Sequence, residues 1–187
     1  MWLFRGTLPS IALGMIVALR AADLSAQAQV ISLAAAAPSI LTVVVTSGAV
    51  QTIAGLSDGA VTTFPTPVVI QTAWNVNPGQ ANSVNLVAYF AVPAQALVGG
   101  SIMIPSSRVQ GRMTTGIPTS FTSINQNGVG GVGSAGGSLL LFSENIGGAN
   151  KNASRTDNLD LQLNLVGFPP VPAGVYTGVL NLRAVTQ

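Results

Sequence analysis

The chain contains no cysteine and no histidine, and only twelve of its 187 residues are charged, seven basic and five acidic. Each shortage excludes something. Without histidine there is no Ser-His-Asp or Cys-His catalytic arrangement and no zinc site of the usual nitrogen and sulfur kind. Without cysteine the fold rests on its core alone, which a domain of this length can supply without disulfides. With Lys151 the single lysine, there is no basic cluster to displace counterions from nucleic acid, so nucleic-acid binding is excluded as a reading. The high isoelectric point reflects a scarcity of ionisable groups rather than a cationic patch. What remains on the surface is Ser, Thr, Asn, Gln and Gly. Such a neutral, hydrogen-bonding surface has little electrostatic repulsion to keep copies apart.

The N-terminus reads as an export signal. Trp2-Leu3-Phe4-Arg5 gives a short start with one positive charge, Ile11–Leu19 is an apolar run, and Ala26-Gln27-Ala28 offers the small-x-small triplet that a signal peptidase requires. The apolar run is shorter than the roughly 20 residues needed to span a bilayer. Cleavage after Ala28 is therefore expected, with residues 1–28 the signal and 29–187 a single domain that has no membrane span. Five positive residues (Arg108, Arg112, Lys151, Arg155, Arg183) and four negative ones (Asp58, Glu144, Asp157, Asp160) belong to that domain.

Beyond the triplet the chain alternates short apolar runs with turn residues. An extended segment through Pro38 precedes Ile40–Thr46, a β-branched strand that ends at Ser47-Gly48; Val50–Ile53 makes a short second strand, and Leu56–Gly59 a turn. Val68–Val76 and Val84–Val92 follow at hairpin distance, with Trp74 and Phe90 the expected large aromatic residues of the core. In the second of these, Val84, Leu86, Ala88 and Phe90 fall on one face, and Asn85, Val87, Tyr89 and Ala91 on the other. Ala94–Leu97 suggests one helical turn. Ser101–Ile104, Ser107–Met113, Phe121–Ile124 and Leu139–Phe142 read as further short strands, Asn125–Ser138 as a mobile glycine-rich loop, and Asn145–Thr156 as a polar loop. The end is the clearest: Asn158–Leu165 and Val175–Val185 alternate apolar and polar residues around a Pro/Gly loop, long enough for the two strands to belong to different sheets. About nine or ten short strands without an amphipathic helix predict an all-β fold, an immunoglobulin-like or Greek-key β-sandwich. A transmembrane β-barrel would need longer strands and aromatic girdles, which this sequence does not offer.

The search for chemistry yields no catalytic residue, no cofactor site and no metal ligand. Asp157 and Asp160 lie three apart in an extended chain and point to opposite faces, so a carboxylate pair would need Glu144 on a neighbouring strand. Glu144, Asn145, Asn150, Asn152, Asp157, Asn158 and Asp160 are rich in the oxygen ligands that calcium prefers, but without the register of a known loop, and turn roles explain them better. Arg155 beside Asp157 suggests a local ion pair at the surface, of little energetic weight. Lys151 reads as a solvated loop residue. The glycine-rich loop lacks the Gly-Lys-Ser/Thr of a phosphate cradle, and Asn152-Ala153-Ser154 is a weak glycosylation triplet. Tyr89, Tyr176 and Trp74 are the aromatic residues available for stacking on sugars, though alternation assigns Tyr176 to the apolar face with Leu180 and Leu182.

The closing run Pro172-Ala173-Gly174-Val175-Tyr176-Thr177-Gly178-Val179-Leu180-Asn181-Leu182 resembles the last strand of secreted bacterial sandwiches of the spore-coat-U and fimbrial-subunit type. The resemblance covers about the last quarter of the chain, in addition to the general plan of a signal followed by short strands. It implies a non-enzymatic pilus, coat or adhesive surface subunit, whose partners are copies of itself or other cell-surface proteins. Two other readings stand beside it. One is a carbohydrate or surface-ligand binding module using the loops Ser107–Arg112 and Asn125–Ser138; the other is a carboxylate-dependent hydrolase resting on Asp157 and Asp160.

Overall fold

A computed structural model describes residues 26–30 and 40–187, apart from positions 54, 78 and 80. It contains thirteen β-strands: β1 (Ala26–Val30), β2 (Ile40–Ser47), β3 (Val50–Ile53), β4 (Val61–Thr63), β5 (Val68–Asn75), β6 (Ser83–Tyr89), β7 (Leu97–Gly99), β8 (Ile102–Ile104), β9 (Val109–Met113), β10 (Thr122–Ser123), β11 (Ser138–Asn145), β12 (Asn152–Asn164) and β13 (Val179–Thr186). Among the described residues the only helical turns are short 3-10 turns at Pro93–Gln95 and Ser106–Arg108, and no helix is long and apolar enough to cross a membrane. The all-β expectation holds, with more strands than the alternation revealed. β1, β4 and β7 are the unforeseen ones, β7 starting where the sequence suggested the end of a helical turn.

Two sheets form the sandwich. One runs β11-β6-β13-β1-β3; the other runs β10-β9-β12-β5-β2, with β4 also paired to β12, and β7-β8 is a separate hairpin. β12 organises the second sheet. Along one edge it pairs with β5 (Asn152 opposite Asn75 to Leu159 opposite Val68) and then with β4. Along the other it pairs with β9. β4 and β5 read as one strand interrupted at Pro65-Thr66-Pro67, where proline removes ladder donors. The two closing alternating runs do lie in different sheets, β12 in one and β13 in the other.

Strict alternation sorts β12 into an inward row of Arg155, Asp157, Leu159, Leu161 and Leu163 and an outward row of Asn158, Asp160, Gln162 and Asn164. The three leucines are almost wholly buried, each contributing about 2 kcal/mol by leaving water. They meet Leu139, Leu141 and Phe142 of β11 in a continuous core, where the Trp74 and Phe142 rings lie 6.4 Å apart across the sandwich. Gly111 on β9 permits the close approach of the sheets, because a Cβ there would sit 2.9 Å from Leu139 and 3.0 Å from Leu159. Trp74 and Phe90 are both core residues, as alternation and size indicate.

Three segments differ from expectation. β12 begins at Asn152, so the supposed polar loop to Thr156 contributes strand, and only its first part turns. β6 is buried on both faces, Asn85 and Val87 included. The glycine-rich run is anchored at several points: Val132 is buried, Gln126 and Ser138 exchange backbone hydrogen bonds, and Ser134 Oγ donates to Ala91 O at 3.1 Å. Its glycines allow it to lie against the five-stranded sheet. Gly130 passes over Val185 and Gln187, and Gly133, in the left-handed region at φ +78°, passes over Tyr89.

Candidate functional site

The densest polar cluster of the described residues lies at the Asn152 end of β12, where it faces β11. Asp157 is buried, with its side chain fully removed from solvent. It accepts hydrogen bonds from Arg155 Nε at 2.7 Å and Nη2 at 2.8 Å, and from the Thr115 hydroxyl at 2.5 Å. Arg155 Nη2 also donates to Thr115 O at 2.9 Å, and Nη1 reaches Glu144 Oε2 at 3.5 Å. The guanidinium lies over the Phe142 ring, 4.3 Å from its centroid. Asn150 joins the cluster by donating to Glu144 Oε1 and to Asn145 O. The Asn150 carbonyl oxygen in turn accepts from Trp74 Nε1 at 2.9 Å.

The Arg155–Asp157 pair expected at the surface is therefore a buried one, and its weight changes accordingly. The inward phase explains it: Arg155 and Asp157 share parity with Leu159, Leu161 and Leu163, so both side chains enter the sandwich. The bidentate fork of Arg155 satisfies Asp157 there. Asp160, on the opposite face as parity requires, pairs with Arg112 at 2.7 Å, and Arg112 covers the Phe121 ring. Asp157 and Asp160 thus do not converge. The oxygen-rich set that suggested calcium is organised around a guanidinium: Arg155 lies between Glu144 and Asp157. No group of three or more Asp or Glu side chains comes together among the described residues. The cluster is an arginine-centred clamp joining β11, β12 and the Thr115 segment.

The sugar-stacking candidates fare in the same way. Trp74 and Tyr176 are core residues, Tyr89 is half-buried, and no aromatic residue is exposed among the described residues. Tyr176 donates its hydroxyl to Pro172 O at 2.9 Å. Burial, and secondarily the Asp58 carboxylate, push its phenol above the ordinary value of 10.0. The unfolded chain therefore releases this proton first, so the contribution of Tyr176 to stability is complete below pH 10 and declines as pH rises through the folded-state value. Urea midpoints measured from neutral pH to beyond pH 10 are expected to fall at the alkaline end, with a shallower fall in Tyr176→Phe.

The sheet edges are the remaining surfaces of note. β1 lies between β13 and β3, parallel to β13 (Gln29 opposite Val179, Val30 opposite Leu180) and antiparallel to β3 (Ala26 opposite Ile53 to Gln29 opposite Val50). The triplet Ala26-Gln27-Ala28, read in the sequence as a processing signal, falls inside this strand. The loop readings at Ser107–Arg112 resolve into a 3-10 turn and β9, and Arg108 is engaged by Val166 O at 2.7 Å and by the Phe168 ring. Comparison of the sequence with known protein families and with curated proteins gives no match.

Proposed function

We propose that the chain is an exported, non-enzymatic structural or adhesive surface subunit that works by associating with copies of itself through added β-strands. The observation that carries this reading is the position of β1. A strand from the N-terminal segment completes the five-stranded sheet between β13 and β3, and among the described residues it is the only parallel neighbour β13 has. Export with cleavage after Ala28 would remove most of the residues that pair with β3 and leave a sheet position for a strand of another copy. The scarcity of surface charge supports the same reading, since little repulsion opposes close packing of copies. Every ionisable side chain of the polar cluster is bound into a structural clamp, which leaves the hydrolase reading without a positioned acid or base. The carbohydrate reading lacks an exposed ring on which a sugar would stack.

The test is the assembly state of the exported protein. Mass spectrometry of its N-terminus locates the cut, and light scattering with negative-stain microscopy over a concentration series reports assembly. Oligomers or filaments that grow with concentration are expected. A species that remains monomeric at the highest concentration overturns the reading.

A further inference from the structure

The sheet edges are not equally protected. On β11 the outer edge is occupied: Ile117 N donates to Leu141 O, Gln126 and Ser138 exchange backbone bonds, and the Gln126 side chain accepts from Leu140 N. A bulge between Leu140 and Phe142 and the charge of Glu144 protect it further. β10 ends its sheet with two residues, and β3 is four residues long. β2 has none of these features over most of its length. It is eight residues of Ile-Leu-Thr-Val-Val-Val-Thr-Ser with no charge and no proline. Among the described residues it pairs on one side only, with β5. Its single irregularity lies between Val45 and Ser47, so Ile40–Val45 forms a regular edge.

We infer that β2 is a second association edge, at which two copies of this chain join β2 to β2 in antiparallel fashion about a two-fold axis at Val43, making one sheet continuous across both sandwiches. The inference rests on the self-associating reading above and specifies a surface for it other than the β1 position. A two-fold axis at Val43 sets each residue against the one at the mirrored position of the second copy, so a charge on the axis would meet its like and one off the axis would meet an uncharged residue. β2 carries none, which suits a second copy better than a partner of opposite charge. Centring on Val43 keeps the pairing within the regular run and sorts the residues by face. On the inward face Val43 meets Val43, and Leu41 meets Val45; Leu41 and Val45 are the half-buried members of the core row and would complete their burial. On the outward face Thr42 meets Val44, and both are exposed, Val44 by 49%. The outward row beyond them on β5 and the first half of β12 (Gln71, Asn75, Ser154, Thr156) is also uncharged, so no side chain there repels the incoming copy.

Charge exchange at the two outward positions tests this. Thr42→Lys/Val44→Lys places lysine opposite lysine twice, and Thr42→Glu/Val44→Glu does the same with glutamate. Each variant is expected to weaken self-association on the order of tenfold or more in sedimentation experiments, while its circular dichroism and melting remain those of the parent. Mixing the two is expected to restore association as a mixed dimer. If the parent associates and both variants associate equally well, the β2 contact is overturned and the self-association reading stands. If the variants fail to associate and the mixture does not recover, the two-fold register is overturned. A parent that never associates overturns both.

Discussion

Replacing Asp157 with alanine is expected to remove about 3–5 kcal/mol of folding stability, the cost of leaving one member of a buried ion pair without its partner. The carboxylate is fully removed from solvent and receives three hydrogen bonds, two from the fork of Arg155 and one from Thr115. Its loss leaves a guanidinium, itself largely covered, over the Phe142 ring with only the longer 3.5 Å contact to Glu144 to balance its charge. Substituting both partners has a smaller expected effect. Arg155→Met/Asp157→Leu replaces the charges with apolar atoms of similar size, so urea denaturation should find the double variant clearly more stable than Asp157→Ala. If the double variant is the less stable of the two, the clamp holds the fold through more than its pairing.

Phe142→Ala is expected to cost a similar amount, about 3–5 kcal/mol, for a different reason. The ring is 2% exposed and links three parts of the molecule: its own strand β11, Trp74 across the sandwich, and Arg155 above its face. Truncation leaves a cavity that neighbours on two sheets cannot easily fill, and removes the surface on which the guanidinium lies. A fall in melting temperature of roughly 10 °C is expected at this chain length, with a change in the near-ultraviolet circular dichroism of Trp74. Phe142→Leu keeps most of the volume and loses the ring, so comparing the two separates cavity from cation–ring contact. The expected order is Ala well below Leu, and Leu below the parent.

The strands were legible wherever one face is wet and the other dry, because the side-chain period then appears directly in the residues. That is the case for β12 from Asn158 onward and for β13, whereas β2 and β5 were legible from their β-branched and aromatic residues. The period fails where both faces are covered: parity sets Asn85 and Val87 on the face opposite Val84 and Leu86, yet they are buried as well. It also fails where the core is polar. Arg155 and Asp157 sit in the leucine phase of β12 and continue the inward row, but two charges beside an Asn-rich stretch read as loop. Extending the parity back from Leu159 would have placed both inside. The anchoring of the glycine-rich run was not legible in composition, since its buried Val132 stands alone among residues typical of flexible linkers. β1 was hidden by a competing signal, the small residues of a processing triplet. Of the candidate surfaces, β2 was legible as a strand, but its position at an edge follows only from the pairing order.

β12 also has a consequence in time. It pairs with β4, β5 and β9, all of which precede it in the chain, so the six-stranded sheet lacks its central member until nearly the whole polypeptide is available. Ladders of such long sequence separation close slowly, because the loop entropy must be overcome before any pairing repays it. During that interval the uncharged β2 and β5 have no finished sheet to occupy, and they are the segments most prone to pair wrongly with another chain. Correct folding therefore requires that the first half of the chain stay unpaired with its neighbours until the last fifth, which holds β12, arrives.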